Sequence, residues 1–288
     1  MKSNFVIMGL PASGKTTFLA ALWHIVEAGE ITSRLKLKSY EGDLSYLNRI
    51  AEAWRTFQKV PRTSQVGDVN VIINLLDSDT GVEGTAFFPD LAGETFEAQV
   101  EARRCRPEFI ESLAHEDGIL FFISANVKGE ALSIVELNAV LPKLDIPHEV
   151  VAEPETWPAT APEWKPGMVS TQVHVVQILS DLLRPPFRPR KRRLALIISA
   201  WDLVDVAGLK PIQWLELNMP LVSQFLKTNV ASFEYQLYGI SAQGVSLEDA
   251  AAVKEAAKQV ASRRVRVIGP AGIGSDLTMP LVWLMSKE

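Results

Sequence analysis

The 288 residues carry 29 Lys and Arg against 34 Asp and Glu, a net charge of −5, with 47% hydrophobic and 22% charged side chains. This is the balance of a globular chain long enough to bury a substantial core, as one large α/β domain or two small ones, and it gives no support for a general nucleic-acid or membrane-binding surface. The single cysteine, Cys105, excludes an intrachain disulfide and a multi-cysteine metal site, and it suits a reducing compartment. No run reaches ~18 uninterrupted apolar residues, so no transmembrane helix is predicted. The amino terminus lacks the basic start and cleavage site of a signal peptide, and a cytoplasmic protein is expected.

Phe5-Val6-Ile7-Met8 is a short continuous apolar run, the pattern of a parallel strand buried on both faces. A helix is predicted from about Lys15, with Phe18, Leu19, Leu22, Ile25 and Val26 at helical spacing. Leu35 to Lys38 reads as a short strand or an extended loop, and Leu44 to Phe57 as a helix ending before Pro61. Val69 to Leu76 and Thr85 to Phe88, separated by the turn-rich "DSDTGVEG", read as a hairpin. "GETFEAQVEARRCRPEFIESLA" is helical in character with a break at Pro107, and "GILFFISAN" is another buried strand. A helix near Glu130 to Leu141 precedes the proline-rich "AEPETWPATAPEWKPG", a surface insertion within residues 126 to 168.

A helix from about Ser170 to Leu183 leads through the basic "RPPFRPRKRR" into the strand Leu194 to Ile198. The basic stretch reads as a solvated loop entering a strand, or as a contact for an acidic partner, nucleic acid or phospholipid heads. Pro211 suits the first turn of a further helix, which Pro220 is expected to kink. "FEYQLYGIS" is the last clear strand. Ser246 to Asp249 resembles a capping box before an alanine-rich helix to about Ser262, and "DLTMPLVWLMSKE" forms a short closing helix. Strand and helix alternate, which predicts an α/β fold with a mainly parallel sheet and helices on both faces. The four histidines, His24, His115, His148 and His174, show no metal-ligand spacing.

Gly9 to Thr16 reads G-L-P-A-S-G-K-T between a predicted strand and a predicted helix, a fit to the phosphate-binding pattern G-x-x-x-x-G-K-[ST]. Glycines let the backbone wrap closely around a β-phosphate, so Gly9, Ala12, Ser13, Gly14, Lys15, Thr16 and Thr17 are the candidate phosphate-binding residues. Lys15 would reach the β- and γ-phosphates, and the Thr16 hydroxyl would ligate Mg²⁺. A second motif follows the hairpin: Asp90, at a strand end, suits the metal side through a water. Gly93, three residues later, offers an N–H to a γ-phosphate.

With the phosphate loop followed by D-x-x-G, the chain resembles the Ras-like P-loop GTPase superfamily. That resemblance implies one GTPase-like domain over residues 1 to 288, a three-layer α/β/α fold with an expanded segment at 30 to 60 before the first switch. It also implies a molecular switch that binds GTP or GDP with Mg²⁺. Glu94 occupies the position where such proteins often carry the Gln that orients water. A carboxylate cannot donate to the γ-phosphate and opposes an anionic transition state, so slow or partner-dependent hydrolysis is expected.

Ser199-Ala200-Trp201-Asp202 and Ser241-Ala242-Gln243 follow two predicted strands, in the order of the superfamily's base-reading motifs. Asp202 would accept from N1–H and N2–H₂ of guanine, and the Ala242 N–H would bond O6. Ser199 is shorter than the usual Asn, Ala200 lacks the usual Lys stem, and Trp201 is either a stacking surface or a packing residue. In "KVPRTSQ", Thr63 is the candidate first-switch threonine for Mg²⁺ and the γ-phosphate, with Ser64 and Thr56 as competitors; Arg62 is an arginine-finger candidate.

More narrowly, "GLPASGKTTFLAALW", "FPDLAGETF" and "DLTMPLVWLM" resemble the bacterial double-GTPase family of conflict and antiviral systems. This implies a protein partner, either a second GTPase, an effector, an activator or a second copy. The alternatives on the same scaffold are a non-hydrolysing nucleotide-binding adaptor and an ATPase.

Overall fold

The computed structural model describes residues 2–60, 70–89, 104–105, 107–126, 169–204 and 208–286. Among these, nine strands form one sheet in the order β2-β3-β4-β1-β5-β6-β7-β8-β9. They are β1 (Lys2–Gly9), β2 (Leu35–Glu41), β3 (Val71–Asp77), β4 (Glu83–Phe88), β5 (Gly118–Ser124), β6 (Arg192–Ser199), β7 (Phe233–Ser241), β8 (Arg266–Gly269) and β9 (Gly272–Gly274). The five central strands, β4-β1-β5-β6-β7, run parallel. Antiparallel strands complete both margins, with β2 and β3 on one side and β8 and β9 on the other.

Side chains of a strand alternate between faces, and the core is divided accordingly. Phe5, Ile7, Leu120, Phe122, Ala195 and Ile197 face one cluster with helices α1 (Lys15–Ala28), α2 (Leu44–Arg55) and, at the carboxyl end, α8 (Met279–Met285). Val6, Met8, Ile119, Phe121, Ile123, Leu194, Leu196 and Ile198 face the other. There they meet α3 (Pro107–Ala114), α4 (Thr171–Asp181), α5 (Pro211–Asn218) and α6 (Pro220–Thr228). The result is three layers with the parallel strands sealed on both sides. Residues Phe18 to Val26 of α1 are all buried, because α1 lies between the sheet and α2. Each fully buried Phe, Leu or Ile contributes about 1.5–3 kcal/mol relative to exposure.

Several elements differ from their sequence expectation. Leu35 begins a seven-residue strand, stabilised by pairing with β3. Helix α2 stops at Arg55, and Phe57 turns left-handed with φ 59°. Pro220 opens a new helix instead of kinking one, since its fixed φ and missing N–H suit a first turn. Helix α7 (Ala250–Ala256) is shorter than expected, and its N-cap is Asp249, which accepts from the Ala251 and Ala252 N–H groups. Two further strands, β8 and β9, follow "FEYQLYGIS". The predicted helix at 130 to 141 and almost all of the proline-rich insertion lie outside the described residues.

The basic stretch before β6 is a packed corner. Phe187 is buried edge-on against Phe109 at 6.2 Å. Arg192 Nε donates to Glu116 Oε1 at 2.9 Å, its other nitrogens donate to the Leu182 and Arg188 carbonyls, and Arg190 bonds the same carboxylate. Burial pushes the Glu116 carboxyl up and the Arg192 guanidinium down, against their mutual attraction. Because desolvation opposes the attraction within a buried ion pair, the cluster is weak evidence for added stability.

Candidate functional site

The carboxyl ends of parallel strands share one edge of the sheet, and β1 stands where neighbouring connections diverge to opposite sides, with β4 on one flank and β5 on the other. Such a point opens a crevice above the strand ends. Gly9 ends β1 there with φ 149°, and a Cβ on it would lie 2.7 Å from the Phe122 carbonyl oxygen and 2.8 Å from Ser13 Oγ. Gly14 has φ 88°, and its Cβ would meet Ser199 Oγ at 2.8 Å. Both positions therefore require glycine. Ala12 between them is also left-handed, with φ 54°.

Gly14 caps α1 without a side chain, and no acidic residue occupies the first turn, where Lys15, Thr16 and Thr17 stand. The helix thus presents the positive end of its dipole to the crevice without an internal counter-charge in that turn. Lys15 arches back over the loop. Its ammonium donates to the carbonyls of Gly9 at 2.6 Å and Leu10 at 2.7 Å, and lies 3.3 Å from Ser13 Oγ. Hydrogen bonds from an ammonium to phosphate oxygens are charge-assisted on both sides, and so stronger than those to neutral carbonyls.

The base-reading candidates lie on the same edge. Ser199 and Ser241 end the adjacent parallel strands β6 and β7. The Ser199 hydroxyl donates to the Ser13 carbonyl at 2.8 Å, tying the phosphate loop to the S-A-W-D turn. Asp202 lies exposed in the 3₁₀ turn Trp201–Leu203, and Ser241 Oγ donates to its Oδ1 at 2.5 Å. The same Ser241 oxygen accepts from the Gly244 N–H at 3.1 Å, which closes the S-A-Q turn. Trp201 is a packing residue. It is 5% exposed, edge-on to Trp214 at 6.5 Å, and so close to β7 that a Cβ on Gly239 would meet its ring at 2.4 Å. The stacking role is therefore set aside, and Ala200, left-handed at φ 52°, brings only a methyl group to its position.

Residues from the expanded segment also reach this edge. Trp54 of α2 donates its indole N–H to the Ala242 carbonyl at 2.8 Å, and Arg264 covers the Trp54 ring at 4.2 Å. The Trp54 contact spans 188 positions, so no local sequence signal marks it. Asp90, Gly93, Glu94 and Thr63, with Arg62 and Ser64, lie outside the described residues. Among the described residues no group of three or more His, Cys, Asp or Glu side chains gathers to hold a metal, and no helix is long and apolar enough to cross a membrane.

Comparison with solved structures finds the GTPase-like domain of S. cerevisiae Ski7 bound to GTP, at 13% identity and a TM-score of 0.43 over 85% of this chain. It also finds Aquifex aeolicus Era bound to GDP and aluminium fluoride, at 17% identity and a TM-score of 0.35 over 89% of this chain. The chain spans 44% of the length of the Ski7 structure and 56% of that of Era. No curated protein matches the sequence. The Double-GTPase 1 family matches residues 6–284, almost the whole chain. With a glycine-rich loop opening α1 at the carboxyl edge of a parallel sheet, the chain belongs to the Double-GTPase 1 family of P-loop GTPases.

Proposed function

We propose that this protein is a guanine-nucleotide-dependent molecular switch that hydrolyses GTP slowly. The observation that carries the reading is the Ser199–Ser13 hydrogen bond. It joins a phosphate loop to a turn whose carboxylate, Asp202, is already oriented by Ser241. Loop N–H groups from Ala12 to Thr17 hold the phosphates, and Lys15 exchanges its loop carbonyls for phosphate oxygens. Asp202 accepts from N1–H and N2–H₂ of guanine, and the Ala242 N–H bonds O6. The Gly93 N–H reads the γ-phosphate.

Thr16, Asp90 through water, and Thr63 hold Mg²⁺ in this reading; the ion would neutralise charge on the β- and γ-oxygens. The hydroxyl of Thr16, in the first turn of α1, is the described part of that donor set, and hydroxyl and carboxylate oxygens suit a hard cation. Glu94 makes turnover slow, and a protein partner or a second copy would accelerate it. The family resemblance adds a setting: a cytoplasmic protein of a bacterial defence system, working with a second GTPase or an effector.

One observation favours a second reading. Ala200 leaves one face of a bound base without the usual aliphatic cover, which weakens guanine selectivity and suits a non-hydrolysing adaptor or an ATPase. Identifying the copurifying nucleotide and its phosphate count separates these. GDP supports the switch, an adenine nucleotide the ATPase, and GTP that stays intact in a subsequent single-turnover assay with Mg²⁺ the adaptor.

A further inference from the structure

The candidate reader of O6 is a main-chain N–H, and a main-chain group has no rotamer of its own to aim it. Its direction depends on whatever holds the turn Ser241 to Gly244. On the strand side that is Ser241, bonded to Asp202 and to the Gly244 N–H. On the far side it is α2. The indole of Trp54, fully buried, donates to the Ala242 carbonyl at 2.8 Å, and Gln243 Nε2 donates back to the Trp54 carbonyl at 3.3 Å.

Arg264 closes the arrangement from below. Its guanidinium lies 4.2 Å from the Trp54 ring centroid and 4.1 Å from that of Phe57, and it donates to the carbonyls of Trp54 and Arg55. Burial brings its pKa down to about 10, so it remains charged at neutral pH in a desolvated place where attraction to ring faces is strongest. Its main chain also limits the turn: Gly244 has φ 83°, and a Cβ there would lie 2.3 Å from the Arg264 carbonyl oxygen. The segment carrying Arg264 is itself pinned, since Ser262 bonds Glu30 through both its N–H and its hydroxyl.

We propose that Trp54 is a positioning residue for base recognition, aiming the Ala242 N–H at the guanine O6, with Arg264 fixing the indole that does so. The inference rests on the guanine reading of Asp202 and Ala242 above. It gives the expanded segment before the first switch a definite task, because α2 is the element that supplies the indole.

The test compares three triphosphates by competition against fluorescent GDP: GTP, ITP, which keeps O6 but lacks the 2-amino group, and 2-aminopurine riboside triphosphate, which lacks O6. In Trp54→Phe, GTP binding should weaken roughly tenfold, the equivalent of one well-aimed hydrogen bond. The 2-aminopurine nucleotide has no O6 contact to lose, so the ratio between these two should shrink by the same factor. The GTP-to-ITP ratio, which reports Asp202, should stay constant. Equal weakening of all three nucleotides, or no change, overturns the inference. Arg264→Lys keeps the charge without the planar stack and should shift the same ratio less; it decides the matter if Trp54→Phe does not fold. A wild-type protein that binds all three alike overturns the guanine reading itself, and the inference with it.

Discussion

Ser199 donates its hydroxyl hydrogen to the Ser13 carbonyl at 2.8 Å, which ties the end of β6 to the phosphate loop. Gly14 lets the loop and the end of β6 approach this closely, since a Cβ on it would lie 2.8 Å from Ser199 Oγ. In Ser199→Ala the tie is lost while the backbone is kept. Nucleotide affinity should fall roughly fivefold, about the net worth of one buried hydrogen bond. The loss should be equal for guanine and adenine nucleotides, because the tie holds the phosphate loop. Titration with fluorescent GDP and ADP checks this, and a selective loss of guanine binding alone would assign Ser199 to the base instead.

Asp202 should behave in the opposite way. Its carboxylate is oriented by Ser241 at 2.5 Å and lies exposed at the strand end. Asp202→Asn keeps an oxygen for the Ser241 hydroxyl, so the turn should persist, but it replaces one acceptor with a donor facing the guanine N–H groups. GTP affinity should fall roughly a hundredfold, as expected for losing charge-assisted hydrogen bonds and gaining a donor–donor clash. ATP affinity should change little. Paired measurements of the two nucleotides give the selectivity directly.

The contrast between these residues shows where sequence was informative. Buried parallel strands advertise themselves as unbroken apolar runs, so Phe5 to Met8 and Leu194 to Ile198 were legible, as was the glycine spacing between Gly9 and Gly14. Ser199, by contrast, looked like a shortened version of a longer residue; only the 2.8 Å approach of Ser13 shows what a hydroxyl suffices to do. Trp54 is a core position of the amphipathic helix α2, and its polar end pairs 188 residues away, where no helical period points. The basic run at Arg184 to Arg193 misled because charge in a sequence says nothing of a buried Glu116 waiting 74 and 76 residues upstream. Strands β8 and β9 are too short to show a period.

Stability at low pH offers a test of the hairpin corner. Burial alone would raise the Asp77 carboxyl, but the Arg34 guanidinium, the Asp79 N–H and the Thr80 side chain outweigh it and bring the pKa down to about 2 from 3.8. A depressed acid stabilises the fold above its unfolded pKa, and that stability is lost as pH falls from about 3.8 toward 2. Arg34 is 35% exposed, and screening limits the contribution to about 1 kcal/mol at neutral pH. Asp77→Asn should therefore melt earlier than wild type at pH 7, and the gap should narrow as the pH approaches 2.5. A gap that is constant with pH would mean that the loss is one of packing, not of ionisation.

Glu94 gives the sharpest prediction about turnover. In the proposed reading Glu94, which follows Gly93 in sequence, stands beside the γ-phosphate. A carboxylate there can accept a hydrogen bond from water but cannot donate one to the phosphate, and its charge would add to that of the reacting group. Glu94→Gln removes the charge and supplies the missing donor in nearly the same volume. Single-turnover hydrolysis of GTP, measured as phosphate release with excess protein and Mg²⁺, should accelerate roughly tenfold, a barrier change of about 1.4 kcal/mol. Glu94→Ala removes the charge without supplying the donor, so an intermediate rate would divide the effect between repulsion and the absent hydrogen bond. Fast wild-type hydrolysis that neither substitution alters would show that Glu94 does not limit the reaction. A fall in rate in both would make Glu94 the group that orients the water.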